Sequence, residues 1–315
     1  MTSRDEQIDL LCAQVEQYYV FPDVAREITA VLRGRAAEGR YRDLAGDEEF
    51  AAAVTEDLQK VNGDKHLRLL HSVEEVPEHD AFDLVSYRRQ AELTSYGFAR
   101  VERLAGNVGV LELTSFYAAE LAGERAAAAM TLLGTTDALI VDLRRNGGGS
   151  PDLVALLCSY LFDEPTHLNS LYWRDRDVTE QFWTLPYVPG GRYGQAKPVY
   201  VLTSATTFSG AEEFSYNLQS RGRATIIGET TRGGAHPGTR YRIAAHLRSA
   251  VPSGRAINPV TGTNWEGTGV LPDVPLPAEQ AFDHAYRLAL EHVLSLGEAD
   301  GRRTVAEEAR TALNG

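Results

Sequence analysis

The sequence predicts an α/β layered protein with a small helical domain at its start, and two patterns of apolar residues predict it. In the first 62 residues apolar side chains recur at spacings of three and four. Ile8, Leu11, Val15 and Tyr18 form one stripe, Val24, Ile28, Val31 and Leu32 a second, and Phe50, Val54, Leu58 and Val61 a third. Breaks at "FPDV" and "AGD" separate these three expected helices. Further on, β-like runs take over: 97–104, 107–116, 138–144, 197–204 and 224–229. Helical patterns at 118–134, 151–162 and 210–221 alternate with the later runs, the arrangement of buried strands covered by helices. A last helix is expected over 277–296, with Ala281, Ala285, Leu288 and Val293 on one side. Polar 73–90 reads as a loop. The expected organisation is therefore a helical domain over 1–72 and an α/β core with a C-terminal helix over 73–315.

The totals narrow the function. The 315 residues are 43% hydrophobic and 24% charged, ordinary for a globular protein. A net charge of −13 argues against nucleic acid, which needs a basic face, and against anionic membrane surfaces. No run approaches the length of a membrane span and the N-terminus lacks the apolar stretch of a signal peptide, so a cytoplasmic location is expected. Cys12 and Cys158 sit in apolar helical patterns and read as buried free thiols; no Cys/His spacing suggests a metal, and no cofactor motif is present.

Three segments carry chemistry. In "VDLRRNGGGSPDLVALL" a buried strand ends in Gly147, Gly148 and Gly149, and Ser150-Pro151 opens a helix as N-cap and first helical residue. Such a loop is either a tight turn or a set of exposed amides able to hold an oxyanion. In "YVLTSATTFSGAEEF" Ser209 follows a strand and heads a helix. It is either a helix cap or a nucleophile beside the free amide of Gly210. A nucleophile needs a base. His66, at the helical-to-β transition, and His236, in "TTRGGAHPG", are the candidates; His71, His79, His167, His246, His284 and His292 read as solvated. In "GTNWEGTGVLPDV" Glu266 stands beside Trp265, where a carboxylate is either a solvated loop group or the orienter of an imidazole.

Taken together, "YYVFPDVA", "GDKHLRLL", "NVGVLEL", "VDLRRNGGG", "TFSGAEEF", "GETTRGGAHPG" and "GTNWEGTGVLPD" resemble, in order and over nearly the whole chain, the tail-specific (C-terminal processing) serine peptidase family. The resemblance is closer to the branch that holds tricorn protease and the interphotoreceptor retinoid-binding protein modules. It implies a crotonase/ClpP-like core of stacked β/α units behind a helical bundle. It also implies a nucleophile at Ser209, a base at His66, a tetrad glutamate at Glu266, and oxyanion donors at Gly210 and at Gly147 or Gly148. Lys65, His236 and Trp265 would line the site. Three departures stand out. Gly234 occupies the position of the lysine base of bacterial tail-specific enzymes. Lys65 stands where the tricorn-like pattern has a serine. Only about 30 residues separate His71 from the first core strand, too few for a PDZ domain.

Two function classes follow. The first is a serine hydrolase acting on a peptide, or on a small ester or lactam, through Ser209, His66 and Glu266. The second is a non-catalytic module that carries an apolar ligand such as a retinoid or lipid, with Ser209 as a cap and His236 lining the pocket. A homo-oligomer is left open.

Overall fold

The computed structural model describes residues 3–44, 46–77 and 83–315. In chain order it begins with α1 (Arg4–Tyr18), α2 (Pro22–Ala37), α3 (Asp47–Gln59), β1 (Arg68–His71) and α4 (Leu84–Leu93). Next come β2 (Phe98–Leu104), β3 (Val108–Leu113), α5 (Ala119–Leu133), β4 (Ala138–Asp142) and α6 (Pro151–Ser159). The middle holds β5 (His167–Trp173), β6 (Val178–Trp183), β7 (Val199–Thr203), α7 (Gly210–Ser220) and β8 (Thr225–Gly228). The chain ends with β9 (Gly238–Ala244), β10 (Leu247–Pro252), β11 (Gly254–Ile257), β12 (Val274–Pro275), α8 (Ala278–Ser295) and α9 (Arg303–Asn314).

The expected mixed α/β architecture is present, and the chain divides into two compact units. The division is not a single cut near residue 72. The first unit takes the chain up to Asp83 together with Ser170–Glu180 and Gly234–Ile257, and the second takes the rest. Strand pairing is the reason. β1 pairs antiparallel with β10, and β10 with β9, so the N-terminal helices share a sheet with a hairpin from far along the chain. Ile8, Leu11, Val15, Ile28, Leu32, Phe50, Val54 and Leu58 from α1–α3 pack with Leu69, Ile243, Leu247 and Val251 of that sheet. Within the same unit β11 pairs antiparallel with β5, Gly254 facing Trp173 and Ile257 facing Ser170.

The second unit is built on a six-stranded sheet of order β12-β8-β7-β4-β3-β2. Its neighbours are parallel from β12 to β3, and β2 closes the edge antiparallel to β3. Every residue of β4 and of β7 is buried, which is why these strands read as unbroken apolar runs. Ala281, Ala285, Ala289, Leu290 and Val293 of α8 pack on one face against Val108, Val110, Ile140, Leu202 and Ile227.

Part of the stretch expected as a loop, 73–90, is helical: α4 starts at Leu84. Its only buried residue is Ala91, so no apolar stripe marks it. The strands β9 and β10 were likewise unmarked, because their outward positions carry arginine rather than residues typical of strands. Both cysteines are free and buried; burial pushes the Cys12 thiol up to about 12 and raises Cys158 as well.

Candidate active site

In the second unit, β7 ends at Thr203 and the chain reaches α7 through a loop tied to the end of β4. Thr207 Oγ1 donates to the Leu143 carbonyl at 2.9 Å, and the Phe208 amide donates to the Asn146 carbonyl at 3.1 Å. This anchoring drives Ser209 to φ 55°, ψ −119° at the head of α7. Other serines cap helices here in the ordinary extended conformation: Ser3 at φ −68°, ψ 162° and Ser150 at φ −71°, ψ 129°. A non-glycine residue held at positive φ costs roughly 1–3 kcal/mol and persists only where its surroundings fix it.

The glycine loop supplies that fixing. Asn146 Nδ2 donates to the Leu113 carbonyl at 3.0 Å, and Asn146 Oδ1 accepts from the Gly148 amide at 2.8 Å. Gly148 has φ +99°, and a Cβ placed on it would lie 2.7 Å from the Gly210 nitrogen, the Phe208 oxygen and the Ser209 Cβ. A Cβ on Gly210 would in turn lie 2.9 Å from the Gly149 oxygen. Backbone therefore packs directly on backbone where the loop meets the serine. Gly147 faces open space instead, with nothing within 4 Å of a Cβ built there. The structure thus brings Gly148 and Gly210 to Ser209, and it commits the Gly148 amide to Asn146.

One carboxylate that the sequence reading passed over completes this arrangement. Glu212 is fully buried one turn into α7. Its Oε2 accepts from the Ser209 amide at 2.7 Å, and its Oε1 accepts from Thr231 Oγ1 at 2.5 Å and from the Gly233 amide at 2.6 Å. Thr231 Oγ1 accepts in turn from the Val270 amide at 2.7 Å. Glu212 therefore ties the serine turn to the segment after β8 and, through Thr231, to the loop that carries Trp265 and Glu266. That loop is ordered by its own backbone: the Gly269 amide donates to the Trp265 carbonyl at 2.9 Å, and the Glu266 amide to Asn264 Oδ1 at 2.9 Å. Trp265 is buried with its ring 5.4 Å from that of Tyr216, and Glu266 is half-buried. The sequence signal for Glu212 was the Ser-x-x-Glu spacing of a capping box, "SGAE".

In the first unit, His66 and His236 share a second overlooked carboxylate, Asp64, whose signal was its place two residues before His66. Asp64 Oδ2 lies 2.8 Å from His236 Nδ1 and accepts from the Tyr19 hydroxyl at 2.9 Å, while Oδ1 accepts from the His66 amide at 3.0 Å. Asn62 Nδ2 donates to the Tyr19 oxygen at 2.5 Å. The Phe21 ring stands edge-on to His236 at 5.4 Å, and His236 is 5% exposed. Burial alone would raise Asp64; the His236 hydrogen bond and charge, then Tyr19 and His66, outweigh it and hold the carboxyl below its ordinary range. Lys65 is half-buried in the turn between the two residues.

Several remaining histidines are less solvated than expected. His167 stacks on Trp183 at 4.7 Å and its Nε2 lies 3.1 Å from the Asn169 carbonyl; desolvation lowers its pKa. His246 Nδ1 lies 3.1 Å from the Ser72 carbonyl. His284 and His292 are half-buried and His71 is exposed, while His79 lies outside the described residues. A cavity of about 440 Å³ opens at the amino ends of β7 and β8, lined by Lys197, Tyr200, Arg223 and His292 among others. It lies at the other end of the sheet from Ser209, which follows the carboxyl end of β7.

Comparison with known proteins agrees with this architecture. Residues 107–276, more than half of the chain, match the model of peptidase family S41, and residues 6–92 match that of the N-terminal domain of peptidase S41 in eukaryotic IRBP. The tail-specific protease of Haemophilus influenzae is 31% identical over 140 residues, 42% of this chain and 18% of that protein. The chain thus matches under a fifth of that relative's length. Two solved structures share the fold. A lipoprotein from Streptococcus agalactiae is 14% identical with a TM-score of 0.60, over 92% of this chain and 97% of that one. The photosystem II D1 C-terminal processing protease is 14% identical with a TM-score of 0.54, over 89% and 94%. Among the described residues no helix is long and apolar enough to cross a membrane. On the extent of the family match, the chain belongs to peptidase family S41, a family of serine-type peptidases.

Proposed function

We propose that this protein is a serine peptidase in which Ser209 is the nucleophile. The observation that carries the reading is the backbone of Ser209: a cap needs no positive φ, and this serine is held there by glycines and by a buried glutamate. Ser209 Oγ attacks the acyl carbon and His66 takes its proton, with Glu266 orienting His66 directly or through a neighbour. The oxyanion is met by the amides of Gly210 and Gly147, Gly148 holding the loop against the serine. His66 then returns the proton to the leaving amine as the C–N bond breaks, and water releases the acyl group. Family resemblance supports the roles of His66 and Glu266. The same strain disfavours the apolar-ligand module, in which Ser209 would be only a cap.

One observation favours a second reading of the base. His236 is buried with Nδ1 against Asp64 at 2.8 Å, the pairing that fixes a catalytic imidazole in one tautomer. Intact-protein mass after treatment with a small fluorophosphonate tests the function: one adduct on wild type and none on Ser209→Ala is expected. His66→Ala and His236→Ala then decide the base, and an adduct that survives loss of His66 but not of His236 transfers the role to His236.

A further inference from the structure

The sheet β1-β10-β9 in the first unit has two chemically opposite faces. Leu69, Leu247, Val251 and Ile243 point into the helices. The alternate positions carry arginine: Arg68 is registered with Ala250, Ala250 with Arg240, and Arg248 with Arg242. Arg242 is engaged, its Nε donating to the Val76 carbonyl at 2.9 Å and its guanidinium 3.8 Å from Glu75. Among the described residues Arg68, Arg240 and Arg248 have no ion pair. Partial desolvation, then the Arg248 and Arg68 charges, lower the pKa of Arg240, so the charges that it feels are cationic. Three guanidiniums without a carboxylate partner among the described residues stand out in a chain with 44 acidic and 31 basic residues.

Their spacing suits one kind of anion. Neighbouring strands lie about 4.8 Å apart, so Arg68 and Arg240 flank small Ala250 about 10 Å from each other, and Arg248, two residues along β10 from Ala250, stands diagonally about 8 Å from each of them. An extended polypeptide presents alternate side chains about 7 Å apart on one side. The face also starts at the histidines. His66 is two residues before Arg68, His236 is two before the start of β9, and β1 and β9 run in the same direction because both are antiparallel to β10.

We propose that Arg68, Arg240 and Arg248 form a subsite for acidic polypeptide, taking Asp or Glu side chains at alternate positions of an extended segment, and so make carboxylate-rich stretches the preferred substrate class. The substrate role rests on the peptidase reading; the binding role does not. Guanidinium–carboxylate pairs are strong and directional, and the peptide's carboxylates supply counter-charges to all three arginines.

The test separates the two. Full-length Ser209→Ala, which binds without turnover, is titrated with fluorescein-labelled extended peptides, C-terminally amidated, bearing Glu at alternate positions or Gln in their place. The Glu peptide is expected to bind at least tenfold tighter, with the preference shrinking as salt rises. The triple variant Arg68→Gln, Arg240→Gln, Arg248→Gln removes the preference, and the corresponding triple change to Lys restores part of it. With the same three Gln substitutions placed in the wild-type background, which keeps Ser209, fluorophosphonate labelling stays at the wild-type rate, which establishes that the triple variant folds. Equal binding of the two peptides, an acidic preference that survives the triple Gln variant, or tighter capture of an RNA oligonucleotide than of the Glu peptide overturns the proposal. Selective binding by a protein whose wild type takes no fluorophosphonate keeps the subsite and removes the peptidase reading.

Discussion

Two strand–loop–helix crossings in the second unit have the same plan and opposite character. After β4 the chain runs through three glycines to Ser150, which caps α6 in an extended conformation with its hydroxyl oxygen accepting from the Asp152 amide at 3.3 Å. After β7 it runs to Ser209, which heads α7 at φ 55°. In the first crossing the unusual backbone is carried by glycines, at φ +99° and +140°, where it costs little. In the second it is carried by a serine. The comparison teaches how these two crossings divide their strain. The glycines let their backbone reach the other loop, and in the second crossing the costly conformation falls on Ser209, the proposed nucleophile.

The largest effect is expected from breaking this asymmetry at its centre. Ser209→Ala should lower peptide hydrolysis by roughly 10³-fold or more and abolish the fluorophosphonate adduct. Ser209→Gly should be as inactive yet more stable by about 1 kcal/mol, because glycine accepts the backbone angle that serine is forced into. A lower melting temperature for Ser209→Gly would mean that the serine carries no strain. The glycine side comes next. Gly148→Ala puts a methyl group on the backbone of Phe208 and Gly210, and labelling should slow by about 10²-fold. Gly147→Ala meets nothing and should stay within about 0.5 kcal/mol of wild-type stability. Equal damage at both positions would show that loop flexibility, rather than close approach, is what matters.

Glu212→Gln should be milder. The amide keeps the shape but turns an N–H toward donors, costing about 1–3 kcal/mol and slowing labelling about tenfold, read by melting and by adduct kinetics. The neighbouring acid behaves differently. Glu213 is buried, and desolvation with a contribution from Asp152 of α6 raises it to about 7. Its folded pKa lies above its unfolded one. The stability it contributes is therefore complete at acid pH and is lost as pH rises through about 7. Glu213→Gln should match wild type near pH 4 and exceed it by roughly 1–3 kcal/mol at pH 8 in denaturant titrations.

The sequence revealed most of the frame because burial on both faces leaves a continuous apolar run, as in β4 and β7, and burial on one face leaves a stripe, as in α1 to α3. It did not reveal α4, whose one buried residue makes no stripe, or β9 and β10, whose outward arginines interrupt the strand signature. At the site, Ser209 and the glycines were legible from their place between strand and helix. Their conformations were not, since φ at Ser209 is set by hydrogen bonds to residues some 60 positions earlier in the chain. Asp64 and Glu212 stayed hidden for a related reason: beside one local donor each, two of the three partners lie far along the chain, Tyr19 and His236 for Asp64 and Thr231 and Gly233 for Glu212, and no local pattern displays those.

The smallest expected effect is also the control for the comparison. Ser150→Ala removes a cap and should cost about 1 kcal/mol, with Ser150→Gly costing only a few tenths, by thermal or denaturant unfolding. Labelling at Ser209 should be unchanged in both. The backbone, not the hydroxyl, places this crossing: the Ser150 amide donates to the Phe116 carbonyl at 2.6 Å and the Phe116 amide to the Gly148 carbonyl at 2.9 Å, bonds that survive either substitution. Pro151 at the first helical position further holds the entry to α6 by fixing its own φ. If Ser150→Ala nevertheless slows labelling as Gly148→Ala does, the glycine loop takes its shape from the α6 cap, and the two serines act as one unit.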